Sequence, residues 1–135
     1  MKRHIIILTI LALFPIFLSA QSREAVIPED YIKDPNKPIL VMFTASWCAP
    51  CQTMKQNIFL REDVKPLLDQ MNVLMMDVDT REGRRYKSLL DCAGDGIPCL
   101  LLMDTDQNIL GKFIGAPRSR EVGKFIDFLN KVLTE

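Results

Sequence analysis

The sequence has no excess of either charge, no internal repeat and no low-complexity tract. Its 135 residues include 17 basic and 17 acidic side chains, so no basic patch for phosphate is expected and nucleic acid is not expected as a partner. Hydrophobic residues make up 48% and charged residues 25%, which is typical of one packed globular domain. Disordered, collagen-like and cysteine-rich scaffold proteins do not fit this composition.

The first twenty residues are typical of a signal peptide. A basic start with Lys2 and Arg3 precedes a run over residues 5–18 that is apolar except for Thr9. A helix over this run would rise only about 21 Å, less than the roughly 30 Å of a hydrocarbon core, so a permanent span is the weaker interpretation. We expect cleavage after Ala20 and a periplasmic or other extracytoplasmic location, with membrane contact only through export.

Histidine occurs once, as His4, and cleavage would remove it. A mature chain without imidazole has no histidine base, no Ser-His or Cys-His pair and no histidine metal ligand. Any catalysis must therefore use other side chains.

The rest of the chain is predicted as a lead-in segment, residues 21–37, followed by one domain, residues 38–135. The lead-in is polar and rich in proline, which predicts irregular structure with at most a short strand near Val26. Residues 39–45 form an apolar run without alternation, which is typical of a central strand buried on both faces.

Strand and helix patterns alternate along the domain. Further strands are predicted at residues 72–78, 99–103 and 109–114, the last two as an antiparallel hairpin. Helices are predicted at about residues 49–59, 64–71, 80–92 and 122–133. Ser119 is placed to cap the last of them. Together these elements predict an α/β domain with a mixed central sheet and helices on both faces.

Cys48 and Cys51 are separated by two residues at the predicted start of a helix. One helical turn brings their sulfurs within bonding distance, so they can cycle between dithiol and disulfide. The helix N-terminus favours negative charge, so we expect the pKa of Cys48 to be lowered. Cys51 would be shielded and suited to resolve a mixed disulfide, and Pro50 falls in the first turn, where its missing N–H costs nothing.

A structural pair, a zinc site and haem attachment are alternative interpretations of this spacing. A zinc ribbon needs a second close pair, whereas six residues separate Cys92 from Cys99 and no histidine is available. Haem attachment needs a histidine where Gln52 stands. A disulfide between such close neighbours constrains the unfolded chain little, so redox chemistry without a bound metal or cofactor is favoured.

The cysteine pair belongs to a series of motifs along the chain. In order they are the strand from Ile39 to Phe43, Trp47-Cys48-Ala49-Pro50-Cys51, a strand ending Asp77-Val78-Asp79, Gly96-Ile97-Pro98, and Gly115 before the last helix. On these motifs the chain, from about residue 38 to 133, resembles the thioredoxin family. Within that family, residues 55–64, with Phe59 just after the predicted active-site helix, are similar to secreted thioredoxin-like proteins and to the C-terminal domain of the membrane thiol-disulfide interchange reductase.

The resemblance implies the thioredoxin fold and a protein-disulfide oxidoreductase that reacts through Cys48 and Cys51. Its partners would be disulfide-containing client proteins and a membrane thiol-disulfide electron donor. Pro98 would be a cis-proline opposite the cysteines, and Ile97 would offer backbone groups to an extended client peptide. Trp47 and Pro50 would belong to the same client-binding surface. A strand-entry proline is the alternative for Pro98.

One departure from the family concerns an ion pair. Thioredoxins usually carry a buried acid before the first cysteine and a lysine that faces it from the next strand, whereas this chain has Met42 and Met75 at the matching positions. Losing both charges together is physically coherent, because a buried ion pair can be replaced by apolar residues without loss of stability. We therefore expect Cys51 to transfer its proton to water and to attack slowly near neutral pH.

Cys92 and Cys99 are weighed separately. A disulfide between them, structural or exchanging, is possible in an oxidising compartment, but two buried free thiols are the favoured interpretation.

No histidine lies between Cys48 and Cys51 to hold the thiolate in the reduced form, and the Ala-Pro dipeptide resembles that of the reducing members of the family. Both features favour a reductant of client disulfides. Two other classes remain open: a copper(I) carrier that uses the same two thiolates, and a module that binds a partner only by its peptide groove.

Overall fold

The computed structural model describes residues 26–134 of the chain. The predicted signal peptide, residues 1–20, lies outside the described residues, as does the start of the lead-in segment. The described part of the lead-in contains a 3₁₀ turn, Glu29–Tyr31, and no strand near Val26. No helix between residues 26 and 134 has the length and apolar character needed to cross a bilayer.

A mixed sheet forms the centre of the described domain. Its strands are β1 (Ile39–Thr44), β2 (Asn72–Asp77), β3 (Cys99–Met103) and β4 (Ile109–Ile114). Their order is β2-β1-β3-β4, with β1 parallel to β2 and antiparallel to β3, and β3 antiparallel to β4. Every residue of β1 is buried, which confirms the predicted central strand. The predicted hairpin is confirmed with its bounds.

Helices cover both faces of the sheet, which confirms the predicted fold class. They are α1 (Ala49–Thr53), α2 (Lys65–Leu68), α3 (Arg81–Leu89) and α4 (Val122–Asn130). Alternate residues of β1 and β3 point into two cores. The first core lies under α1, α2 and α4 and includes Leu40, Met42, Cys51, Leu100 and Phe125. The second core lies under α3 and includes Val41, Phe43, Tyr86, Cys99 and Leu101.

The helix predicted over residues 49–59 changes type along its length. After α1 it continues as a π-helical turn, Met54–Ile58, whose last hydrogen bond runs from Phe59 N–H to Met54 O at 2.9 Å. Met54, Ile58 and Phe59 are all buried in the first core. This packing keeps α1 seated on the sheet although its α-helical part is short.

The predicted Ser119 cap is wrong. A 3₁₀ turn, Ser119–Glu121, precedes α4, and it separates Ser119 from the free N–H groups at the start of the α-helix. The Glu121 carboxylate instead accepts a hydrogen bond from the backbone N–H of Arg118 at 3.3 Å. Helix α4 also ends at Asn130 rather than at residue 133.

Candidate active site

Cys48 and Cys51 form a disulfide at the start of α1, with their Cα atoms 5.2 Å apart. Cys48 is the N-cap residue, and its Sγ accepts a hydrogen bond from the backbone N–H of Cys51 at 3.2 Å. Pro50 lies in the first turn, where a backbone N–H would have no partner inside the helix. The unpaired N–H groups of this turn would stabilise a thiolate on Cys48 after reduction.

The two sulfurs differ in access and in surroundings. Cys48 is 4% exposed and Cys51 is 0% exposed. Among the described residues the buried polar side chains are Thr44 and Asn72, and neither ionises. No buried acid or base therefore faces Cys51 in the first core, and this apolar environment disfavours its thiolate form.

The two methionines at the positions where the resemblance implies an ion pair lie side by side on β1 and β2. Their Cα atoms are register partners in the parallel pairing of these strands. Met42 is fully buried in the first core, whereas Met75 is 46% exposed because β2 is the edge of the described sheet. A charge at position 75 would thus remain partly solvated, but a charge at position 42 would not.

The peptide bond between Ile97 and Pro98 is cis, which is the geometry that the resemblance implies. The carbonyl oxygen of Ile97 lies 3.6 Å from Cys48 Sγ. Pro98 is buried, and its carbonyl accepts a hydrogen bond from Gly115 N–H at 2.8 Å. Gly115 has a φ of 83°, a left-handed conformation that favours glycine. The sequence motifs around Cys48, Pro98 and Gly115 therefore meet at one end of the sheet.

Trp47 is the most exposed large apolar side chain of the site, at 68%. Its indole Nε1–H donates to the carboxylate of Asp79, with distances of 2.9 and 3.2 Å to the two oxygens. Arg84 donates to the backbone carbonyl of Asp79 at 2.6 Å and so supports the same turn. The pairing of Trp47 with Asp79 was missed by sequence analysis, because 32 residues separate them.

A groove of about 530 Å³ runs beside α1. One wall includes Ala49, Pro50 and Thr53, and the other is the segment before α4 that contains Ala116, Pro117 and Arg118. This second wall was not predicted, since the segment has no chemical motif. The sequence signal next to this segment was Gly115, which has a left-handed backbone conformation.

Cys92 and Cys99 are joined in a disulfide, so the prediction of two free thiols is wrong. Both residues are fully buried in the second core, and the Cα atoms are 6.3 Å apart. No described cysteine is free. The two disulfides therefore lie on opposite faces of the sheet.

Cys92, Asp95 and Cys99 place one potential metal ligand each within 4.8 Å of one another. This cluster does not suit a metal ion, because a disulfide sulfur is not a thiolate ligand. Lys112 Nζ also lies 2.8 Å from the Asp95 carboxylate. The hydrogen bond that Lys112 donates to the Asp95 carboxylate is the main factor that raises the pKa of Lys112, so the lysine keeps its charge beside the cluster.

The sheet order and the cysteine pair opposite a cis-proline together define a thioredoxin-fold protein. A family profile described as Thioredoxin-like matches residues 30–105, which is more than half of the chain. The chain therefore belongs to the thioredoxin-like family.

Relatives and solved structures support this assignment. The chain is 32% identical over 75 residues to a thioredoxin-like protein of Synechocystis, covering 56% of this chain and 63% of that protein. It is 33% identical over 100 residues to a thiol:disulfide interchange protein TxlA homolog of Synechocystis, covering 74% and 53%. The oxidised C-terminal domain of DsbD from Neisseria meningitidis is 25% identical, with a TM-score of 0.55 and coverage of 72% and 81%. The chain thus spans about half to two-thirds of these two curated relatives.

Proposed function

We propose that the protein is an exported thiol-disulfide oxidoreductase that reduces the disulfides of client proteins. The observation that carries this proposal is the Cys48–Cys51 disulfide at the N-terminus of α1, in which Cys48 Sγ already accepts a backbone N–H. The same N–H would stabilise a thiolate at Cys48 once the pair is reduced.

Reduction of a client takes two exchange steps. The Cys48 thiolate attacks one sulfur of the client disulfide, the client S–S bond breaks, and one client thiolate leaves and takes a proton from water. Cys51 then loses its proton and attacks Cys48 Sγ, which releases the second client thiolate and forms the Cys48–Cys51 disulfide. Two electrons pass from the cysteine pair to the client, so a thiol donor has to restore the dithiol.

The difference in burial between the two sulfurs supports this order of attack. Cys48 retains some exposure. It lies beside the exposed Trp47 and Pro50 and the partly exposed Ile97, which together with the buried Pro98 we expect to bind the client. Cys51 is fully buried beside Cys48, so it can attack the Cys48 Sγ of a mixed disulfide but not the disulfide of a free client. An extended client strand beside Ile97 would pair with backbone groups and present its disulfide to Cys48.

Export and the electron donor are inferred from the sequence and the relatives. The apolar run at residues 5–18 supports secretion. The likeness to the DsbD C-terminal domain and to a thiol:disulfide interchange protein supports a membrane thiol-disulfide donor. The Ala49-Pro50 dipeptide and the lack of a histidine between the cysteines favour the reducing direction.

A trapping experiment with a matched control tests the proposal. Reduced Cys51→Ala is mixed with oxidised insulin, and a mixed disulfide through Cys48 is expected on a non-reducing gel and in the peptide mass spectrum. Cys48→Ala, which keeps the other thiol, should form no such adduct. Wild type should reduce insulin without accumulating an adduct. Equal adducts from both variants, or no adduct from either, would refute the proposed function.

The direction of electron flow has its own measurement. Trp47 is the only tryptophan of the chain, so its fluorescence reports on the adjacent cysteine pair during equilibration with glutathione. A reduction potential at the reducing end of the family range supports the proposal. A potential at the strongly oxidising end would reverse the direction.

A further inference from the structure

We propose that the Cys92–Cys99 disulfide is a positioning device for the client-binding loop, and that opening it weakens client binding while leaving the chemistry of Cys48 intact. This inference rests on the proposed function. It assigns a specific role to a pair of residues that never touches the reacting sulfurs.

The second disulfide is placed where it cannot exchange with the first. Along β3, Cys99 and Leu101 point into the second core, whereas Leu100 points into the first core with Cys48 and Cys51. The sheet therefore separates the two sulfur pairs. With Cys92 and Cys99 both fully buried, neither the redox pair nor a client reaches them while the domain is folded.

The disulfide closes the loop that carries the cis-proline. Its two cysteines are seven residues apart in sequence, and Ile97 and Pro98 lie between them. Ile97 packs against both cores and places its carbonyl 3.6 Å from Cys48 Sγ. One end of this short closed loop is therefore part of the client-binding surface.

Two lysines fasten the other end of the loop. Lys87 Nζ donates to the carbonyls of Cys92 and Asp95 at 2.7 and 2.6 Å. Lys112 Nζ donates to the carbonyl of Asp91 and to the Asp95 carboxylate, both at 2.8 Å. These bonds fix residues 91–95 but leave the stretch between Asp95 and Ile97 to be fixed by the disulfide and the sheet.

Glycine makes that stretch depend on the cross-link. Gly96 lies between Asp95 and Ile97, and a Cβ there would meet no atom within 4 Å. Side-chain packing therefore does not restrain this position, and glycine has more backbone freedom than any other residue. Without the disulfide, the Ile97 carbonyl would sample a wider range of positions relative to Cys48, and a client strand would meet a less ordered binding edge.

A single-turnover assay separates binding from chemistry. Wild type and Cys92→Ala/Cys99→Ala are briefly reduced and desalted, and each should then carry two free thiols, those of Cys48 and Cys51. Trp47 fluorescence follows their oxidation by increasing concentrations of insulin. We expect the half-saturating insulin concentration of the variant to rise about fivefold with the limiting rate changed by less than about twofold.

The reaction with a small disulfide reagent provides a comparison that does not depend on client binding. Dithiobis(nitrobenzoate) reacts with Cys48 without needing an extended binding edge, so its rate constant should change by less than about twofold in the variant. A merely structural role for the disulfide would lower both reactions by the same factor, through a smaller folded fraction. Lys87→Met loosens the same loop with the disulfide intact, and it should shift insulin half-saturation in the same direction even if the double variant does not fold.

Each other outcome has a defined meaning. Four free thiols in briefly reduced wild type would overturn the inference, because a disulfide opened that easily cannot fix the loop during turnover. Unchanged insulin half-saturation in the folded double variant would overturn it as well. If the double variant does not fold, unchanged half-saturation in Lys87→Met would overturn it. Failure of wild type to reduce insulin would instead refute the proposed function, which distinguishes the two failures.

Discussion

Replacing Gly83 with alanine tests how closely α3 is docked against the turn that bears Asp79. Gly83 is buried in the first turn of α3, and a Cβ there would overlap the backbone carbonyl of Asp77 at the end of β2. That carbonyl accepts hydrogen bonds from the backbone N–H and the hydroxyl of Thr80, at 3.1 and 2.7 Å. The overlapped group therefore cannot move without breaking the turn.

The expected magnitude is a balance of opposing contributions. Alanine in place of glycine favours a helix by about 1 kcal/mol. Forcing a methyl group into a close-packed contact costs about 1–3 kcal/mol, and losing a hydrogen bond of the Thr80 turn adds about 1 kcal/mol. We therefore expect Gly83→Ala to lower the free energy of unfolding by about 1–3 kcal/mol, which corresponds to a fall in Tm of about 4–12 °C for a domain of about 110 residues.

Gly123→Ala is the matched control, because Gly123 lies in α4 and a Cβ there would meet no atom within 4 Å. The same substitution should raise the free energy of unfolding by about 0.5–1 kcal/mol at this position. Urea unfolding of oxidised protein at 25 °C, followed by circular dichroism and by Trp47 fluorescence, measures both variants. Should Gly83→Ala prove as stable as wild type while Gly123→Ala is stabilised as expected, the close docking of α3 would be refuted.

Two further predictions concern the redox site. In the reaction with dithiobis(nitrobenzoate), the release of the second nitrothiobenzoate reports attack by Cys51. The rate of this release should rise about tenfold per pH unit from pH 6 to 8, because the thiolate is the attacking form and no buried acid takes its proton. Cys51→Ala should lose this phase, and a rate independent of pH would contradict the expectation. Asp79→Ala removes the hydrogen-bond acceptor of the Trp47 indole, so the fluorescence anisotropy of Trp47 should fall. Because the contact is exposed, the free energy of unfolding should change by less than about 1 kcal/mol. Unchanged anisotropy would show that the hydrogen bond does not orient the ring.

The apolar surroundings of Cys51 link the methionines at positions 42 and 75 to the expected rate of proton transfer from Cys51. Met42 occupies a fully buried position on β1, so an acid there would be desolvated without a partner. Met75, its neighbour on the edge strand, is partly solvated. The paired replacement thus removes a buried charge from the core, and slower proton transfer from Cys51 is its expected consequence.

Local patterns predicted much of the fold. The apolar run after Pro38 predicted β1, and the polar turn between two apolar runs predicted the hairpin of β3 and β4. Helix ends were predicted less well, as at Ser119. A 3₁₀ turn and an α-helical turn differ by one residue in the hydrogen-bonding partner, and packing against the sheet decides between them.

The sequence alone determined the elements whose causes lie within a few residues of one another: the strand lengths, the hairpin turn, and the spacing that places Cys48 and Cys51 one turn apart. The tertiary structure decided which distant groups meet. Asp79 reaches Trp47, the Ile97 carbonyl reaches Cys48, and Cys92 pairs with Cys99 on the face away from the redox site. These distances depend on strand order and on the side of the sheet to which each residue points, and both are set by the packing of the whole domain into two cores.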